Sequence, residues 1–572
     1  MSADFAGVGR QAPIGFQDCY GANQSVCSSR LFPIYAMAQI PDDASTRPRS
    51  NLKTGFVTAM RRRSVQIVAA LLLVFAVMVR IQFAGPAILD NDGYYHIRWS
   101  KNLRQSLPHL PAFNYLPLTV LDKRDFVDHH FLFHVLLMPF TFGDLRLGAK
   151  RAAVVFSTLA IVSVFGLLVA FKVPYRWFWL VPLVGGSEPF LYRMSMTRAP
   201  SLAVTLLALG IYLIFKRKLV WLGLLAFVFV WSYSLFPLLF AFAAIYSVTI
   251  YLCYRRVEWG AVLASGLGIA AGLVVNPYFP KDLILFKEHL MMKVVPNYPV
   301  GVGVEWYPYD TWVVLTGSLV TFALYFAALL VFDFKNREAD PKPLFFLIAS
   351  AMLLVASFES RRFMEYWAPF AVLFSAFTIG PRIRRPGGRW FERPRDRIIA
   401  AVTAAVAADA LLIGIAFNLN RASKDVVDEP SPYLYRDGGA WLMKNTAPGS
   451  LVFNVDWDGF GKLVYYDSQN RYVSGLDPTY LYAKDKELGK QYDDITDGKE
   501  DHPGDIIRDQ FGARYCIAEK GDTDFLSSAS DSGDFATVYE DKFVTILRVL
   551  DKKERAKTPD GDDGDDDASD GK

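Results

Sequence analysis

The chain has 572 residues, of which 52% are hydrophobic and 15% aromatic, with a formal net charge of +4. Together with a positive mean hydropathy, that composition excludes an ordinary soluble protein of this size. Lys and Arg crowd short loops between apolar runs while Asp and Glu gather toward the C-terminus, so the basic excess reads as membrane topology and not as nucleic-acid binding.

Residues 1–60 are mixed and rich in Ser, Pro and Gly, with no early hydrophobic core. They read as a disordered cytoplasmic extension or a misassigned start, not as a cleavable leader. Cys19, Cys27, Cys253 and Cys516 have no metal-ligand spacing and suggest no disulfide framework. The membrane-embedded region is expected over residues 64–419. Its first span, Val65 to about Ala84, follows Arg61, Arg62 and Arg63, which hold the N-terminus in the cytoplasm. Beyond it lies Leu89-Asp90-Asn91-Asp92-Gly93-Tyr94-Tyr95-His96-Ile97-Arg98-Trp99.

The apolar piece Phe131 to Phe142 is too short to cross a bilayer of roughly 30 Å and reads as an interfacial or re-entrant helix. Further spans are expected near 152–171, 177–191, 200–215, 219–234, 236–253, 259–275, 310–332, 343–358, 363–380 and 398–418, about eleven in all. Lys172 and Arg176, then Lys216, Arg217 and Lys218, then Arg255 and Arg256 mark cytoplasmic connections. The run from Arg382 to Arg397 is the strongest such signal. Residues 420–550 change to short alternating runs with Gly, Asp and Pro punctuation, which predicts a soluble α/β domain on the non-cytoplasmic face. Residues 551–572, with seven Asp between Asp560 and Asp570, read as an acidic disordered tail.

This topology gathers five clusters on one face: Asp90 and Asp92, Glu188 to Arg198, Tyr298 to Trp306, Glu359 to Arg362, and the soluble domain. Convergence of that kind favours an active site there, whereas a transporter or flippase would place its polar residues within the spans. Asp92 with Tyr94, Tyr95 and His96 also has a plain reading as an interfacial loop with its rings at headgroup level.

The run Asn91-Asp92-Gly93-Tyr94-Tyr95 resembles the first-outer-loop motif of oligosaccharyltransferase catalytic subunits, polytopic GT-C membrane glycosyltransferases that move a glycan from a polyprenyl diphosphate to an asparagine. Its place directly after the first span matches too. Val302-Gly303-Val304-Glu305 stands where that family has a short motif ending in Glu. Ser360-Arg361-Arg362-Phe363-Met364-Glu365-Tyr366 resembles the span whose arginine grips the lipid diphosphate, and Arg362 fits that position. Asp456-Trp457-Asp458-Gly459-Phe460 stands where the family has Trp-Trp-Asp-Tyr-Gly.

The resemblance implies a GT-C-like fold with about eleven spans and a C-terminal soluble α/β domain, and chemistry by Asp92 and Glu305. It assigns the donor phosphate to Arg362, Arg193 and Arg198 and the acceptor to Trp457 and Asp458. It also implies a polyprenyl-linked sugar donor, a protein, lipid or glycan acceptor, membrane lipids around the spans, and a bacterial inner or plasma membrane with the site facing outward. Two departures stand out. The run Arg193-Met194-Ser195-Met196-Thr197-Arg198-Ala199-Pro200 lacks the family's second acidic motif, leaving Glu188 or the arginines themselves to compensate, and the acceptor motif has Asp456 and Gly459 in place of Trp and Tyr.

Two chemistries stay open. Asp92 and Glu305, with Asp90, would bind Mg²⁺ or Mn²⁺ as hard oxygen ligands, or Asp92 would act as general base on a hydroxyl. A polyprenyl-monophosphate-sugar transferase acting on a lipid or glycan, and a non-enzymatic transporter, are the alternatives. The cluster Asp128, His129, His130 and His134 reads first as lining an interfacial helix, and Lys462 and Arg471 read as surface charges.

Overall fold

The computed structural model describes residues 62–294, 303–384 and 394–555. The expectations for residues 1–60, for Tyr298 and Val302, for residues 385–393 of the Arg run and for the acidic tail beyond 555 lie outside them. The described chain is dominated by helices, with one small sheet near its C-terminal end.

Among the described residues, six helices are long and apolar enough to cross a membrane: Arg63–Gln82, Leu145–Ala170, Pro237–Tyr254, Lys342–Glu359, Arg361–Ile383 and Ala401–Asp428. Two bent pairs, Glu188–Ser195 with Pro200–Phe215 and Thr311–Gly317 with Leu319–Val331, bring the number to eight if each pair is one span. The chain is thus an integral multi-pass membrane protein. Hydropathy points to about eleven segments, and length separates the two counts. Arg176–Gly185 has 10 residues, Leu219–Ser232 has 14 and Trp259–Val274 has 16; at 1.5 Å per residue these fall short of a hydrocarbon layer of roughly 30 Å. Phe131–Leu137, continued by a tight turn through Thr141, is also short.

The bend at 110° between Glu188–Ser195 and Pro200–Phe215 has a local cause. The Ser187 hydroxyl accepts from Phe190 N at 3.3 Å to start the first helix. Met196 is extended (φ −71°, ψ 146°) and Pro200 opens the second helix. Proline tolerates a first helical turn and not an interior, so the chain breaks between them. Arg193 lies on the first arm and Arg198 in the connection.

The C-terminal part carries a five-stranded sheet of order β2-β1-β3-β5-β4. Its strands are β1 Leu451–Asn454, β2 Arg471–Tyr472, β3 Tyr515–Glu519, β4 Phe535–Glu540 and β5 Val544–Val549. β2, β1 and β3 run parallel, with Val452 opposite Tyr515 and Asn454 opposite Ile517, and β5 and β4 complete the sheet antiparallel. Val452, Phe453, Cys516 and Ile546 are almost fully buried, so the sheet is covered on both faces.

This part sits on the helix Asp92–Ser106 through the helix Phe460–Tyr466. The Tyr94 and Tyr465 rings meet edge to face at 5.3 Å, and Arg98 donates to the Tyr465 carbonyl. Further along, Tyr472 N donates to Tyr115 O at 2.8 Å, and Lys484 pairs with Asp122 at 3.0 Å. Contact is closest at Gly461, where an added Cβ would stand 2.3 Å from Asn91 O, a backbone atom. Gly461→Ala is therefore expected to push the C-terminal part off the Asp90–Asp92 loop at a cost of about 1–3 kcal/mol. The thermal midpoint of the detergent-solubilised protein reads that loss, and an unchanged midpoint would contradict the packing.

Candidate functional site

The loop from Asp90 to Asp92 is held in an unusual conformation. Asp90 has φ 74°, a left-handed geometry that Asp tolerates better than most residues. Asp90 N donates to Glu429 Oε1 at 3.4 Å and Asn91 Nδ2 donates to Asp458 Oδ2 at 2.7 Å. Asp92 then opens the helix Asp92–Ser106, where a carboxylate meets the positive end of the helix dipole.

Arg198 is the centre of the site. Its Nη1 lies 3.2 Å from Asp90 Oδ2 and its Nη2 lies 2.9 Å from Asp92 Oδ2, and it also pairs with Glu305. Glu305 Oε2 meets Arg362 Nε at 2.6 Å and Arg193 Nη2 at 3.7 Å. Arg193 in turn pairs with Glu365, which is fully buried. Two segments far apart in the chain, residues 305–307 and 360–362, are strapped together behind these pairs. Ser360 Oγ donates to Glu305 O at 2.8 Å, Arg361 N donates to Tyr307 O at 3.0 Å, and the Arg362 guanidinium lies 4.1 Å from the Trp306 ring centre.

These groups line a cavity of about 640 Å³. Asp90, Asp92, Arg193, Arg198, Glu305, Arg362, Trp457 and Asp458, every site residue expected from the sequence, lie on its wall. The same wall carries Glu188, Arg361, Arg421, Asp425, Asp456 and Asp477. Asp456 accepts from Asp458 N at 2.9 Å and from Gly459 N at 2.7 Å, a turn that presents Trp457 and Asp458 to the cavity. Leu476, beside Asp477, has φ 67°. Of the positive-φ residues other than Gly, Asp90 and Leu476 line this cavity, whereas Lys172, Tyr175, Arg217 and Arg255 sit at helix ends. For a bulky aliphatic residue that conformation is strained, and strain of this kind concentrates at working sites.

Sequence reading did not foresee several of these residues. Lys462, read as a surface charge, is 3% exposed, with its ammonium 5.6 Å from the Tyr94 ring centre. Glu365 was visible in its motif but had no partner until Arg193 arrived. Glu429 follows a long apolar helix, and only its contact with Asp90 gives it a role. Arg471, by contrast, is exposed as expected.

The carboxyls share one electrostatic condition. Burial pushes Asp92 and Asp90 up, and Arg198 opposes it. Burial likewise raises Asp456 to about 6 and Asp458 to about 6, and burial with the nearby Asp90 raises Glu429 to about 7. Burial pulls Lys462 down, against its acidic neighbours.

The donor set does not fit the expected Mg²⁺ or Mn²⁺. All three carboxylates face Arg198, and a cation bridging them at about 2 Å would occupy the place of that guanidinium. Among the described residues, no group of three or more His, Cys, Asp or Glu side chains is arranged to hold a metal ion.

No protein-family model matches the chain, and no curated protein does. Solved structures share a similar course of chain. Over 87% of its length the chain is similar to ArnT from Cupriavidus metallidurans at 14% identity. It covers 98% of the apo structure with a TM-score of 0.47, and 99% of the undecaprenyl-phosphate-bound structure with a TM-score of 0.48. Over 84% of its length it is similar to the arabinofuranosyltransferase AftD from Mycobacteria, at 12% identity and a TM-score of 0.47, covering 41% of that chain.

The raised Glu429 carboxyl gives a test of the site's electrostatics. A folded-state pKa above the unfolded value contributes stability below the unfolded pKa that is lost as pH rises through the folded pKa. With Glu429 at about 7, Glu429→Gln should melt higher than the unsubstituted protein at pH 8 and alike at pH 5. Equal midpoints at pH 8 would show that Glu429 ionises there without cost.

Proposed function

We propose that this chain is a GT-C membrane glycosyltransferase that moves a sugar from a polyprenyl-phosphate donor to an acceptor on the non-cytoplasmic face of a bacterial membrane. One observation carries the reading. The five clusters that the topology puts on one side all reach a single cavity, which holds arginines and carboxylates in contact.

The chemistry follows from those pairs. Breaking the bond between a sugar carbon and a lipid phosphate builds negative charge on the leaving oxygens. Arg362, Arg361 and Arg193 line one stretch of wall, and planar guanidiniums suit phosphate oxygens. In this account the entering phosphate displaces Glu305 from Arg362. Asp92, kept beside Arg198, holds the acceptor and faces the sugar carbon, and Trp457 and Asp458 border the acceptor from the soluble part.

The arginine-bridged donor set favours a monophosphate donor and a hydroxyl acceptor over a metal-assisted oligosaccharyl transfer to asparagine. No step here runs through a cation. The missing Trp and Tyr of the acceptor motif point the same way.

Membrane vesicles containing the protein, offered a panel of undecaprenyl-phosphate-linked pentoses and hexoses, test the reading through release of the lipid phosphate. Asp92→Ala, Glu305→Ala and Arg362→Ala are each expected to lower release by about 100-fold or more while the protein stays inserted and folded. Full activity in the two carboxylate variants would overturn the site assignment. Exhaustive chelation should leave the rate unchanged; a rate abolished by chelation and restored by Mg²⁺ or Mn²⁺ would overturn the arginine account. Movement of the donor across the membrane without release would make the protein a flippase.

A further inference from the structure

Behind Asp92 the large cavity adjoins a second, smaller chamber of about 60 Å³, whose wall includes Asp92, His96, Asp128, His130, Arg198 and Asp477. The transfer chemistry above makes no use of the histidines. His96 lies one helical turn after Asp92 on the same helix, so both side chains share a face.

The histidines are connected in a defined chain. His96 Nδ1 lies 2.8 Å from His134 Nε2. His134 Nδ1 lies 2.8 Å from Asp128 Oδ2 and 2.9 Å from Asp128 Oδ1. Trp99 Nε1 donates to Asp128 Oδ2 at 3.0 Å. His96, His134 and Asp128 are 3%, 1% and 4% exposed. Beside them, His130 Nε2 is buried with no hydrogen-bond partner among the described residues. A polar ligand in the chamber would supply one.

With both rings neutral before the reaction, elementary proton accounting fixes the tautomers. An ionised Asp128 can only accept, so His134 Nδ1 carries the proton and His134 Nε2 is left as an acceptor. His96 Nδ1 must then donate to it, which leaves His96 Nε2 with a free lone pair. Burial pushes the Asp128 carboxyl up, but His134, the hydrogen bond from Trp99 and His129 together hold it below the ordinary carboxylate range. Burial also keeps His96 neutral, with His134, Arg198 and His129 acting in the same direction.

We propose that Asp128, His134 and His96 form a proton relay that ends in this chamber and takes the proton lost by a hydroxyl acceptor. The proposal rests on the glycosyl-transfer reading. As the acceptor oxygen bonds to the sugar carbon, the bond from that carbon to the phosphate oxygen breaks and its electron pair leaves with the lipid phosphate. The hydroxyl proton goes to His96 Nε2, the His96 Nδ1 proton shifts to His134 Nε2, and Asp128 balances the resulting imidazolium. His96 is then the catalytic base, His134 and Asp128 position it, and Asp92 stays ionised beside Arg198 to hold the acceptor.

The test uses the full-length protein in lipid nanodiscs and the undecaprenyl-phosphate-linked sugar that the unsubstituted protein releases fastest. His96→Gln is expected to lower kcat by about 100-fold with the donor KM within about twofold, and to remove the acidic limb of the pH–rate profile. His96→Gly should regain part of the rate with added imidazole. A kcat for His96→Gln within about threefold of the unsubstituted protein would overturn the relay. Nitrogen NMR of labelled histidines checks the same point without substitution: His96 should carry its proton on Nδ1, and a proton resident on Nε2 in the neutral ring would overturn it. If Asp92→Ala and Arg362→Ala lose activity while His96→Gln keeps it, the relay alone falls. If no panel member is turned over by the unsubstituted protein, the transfer reading falls and the relay with it.

Discussion

Arg198 is the interaction on which the rest of the site depends. It is one guanidinium, mostly enclosed, facing carboxylates from two separate parts of the chain: Asp90 and Asp92 after the first span, and Glu305 in the loop before the Thr311–Val331 pair. A buried cation must find such partners or pay a desolvation cost of several kcal/mol. Removing one partner of a buried pair typically costs 3–5 kcal/mol, because the other is left uncompensated. Arg198 therefore ties these two parts of the chain together, and the break before Pro200 is what frees it from a helix interior to do so.

The C-terminal part completes the cavity and is not an appendage to it. Asp458 is held by Asn91, Glu429 by the backbone of Asp90, and Gly461 lies against the Asn91 carbonyl. Two backbone positions in the left-handed region, Asp90 and Leu476, approach the cavity from the two parts. Strain at such places is sustained only when surrounding contacts over-determine it, and here they do. The result is a set of charged groups oriented before any ligand arrives, which is the condition under which electrostatic stabilisation is most effective.

How much was legible in the sequence differs between elements for physical reasons. Asp92, Glu305, Arg362 and Trp457 were readable because short motifs carry them and because charge asymmetry around apolar runs assigns sides. The same hydropathy points to about eleven segments, while six to eight spans among the described residues are long enough to cross a bilayer. A run such as 177–191 is apolar over most of its length, yet Gly186 ends one helix and Ser187 starts another, and window averages do not register the break. Lys462 misled in the other direction. Its neighbours are unremarkable in sequence, and its burial comes from the docking of the helix Phe460–Tyr466 onto Tyr94.

The sequence by itself determined the membrane character, and its short motifs carried Asp92, Glu305, Arg362 and Trp457, which line the cavity, because composition, hydropathy and local motifs are properties of consecutive residues. Only the tertiary structure decided that Arg198 stands between Asp90, Asp92 and Glu305, and that Asp128, His134 and His96 line up behind Asp92. Those arrangements depend on distances between side chains 38 to more than 100 positions apart, and such distances are fixed by helix packing and by one break in the chain, neither of which a linear pattern encodes.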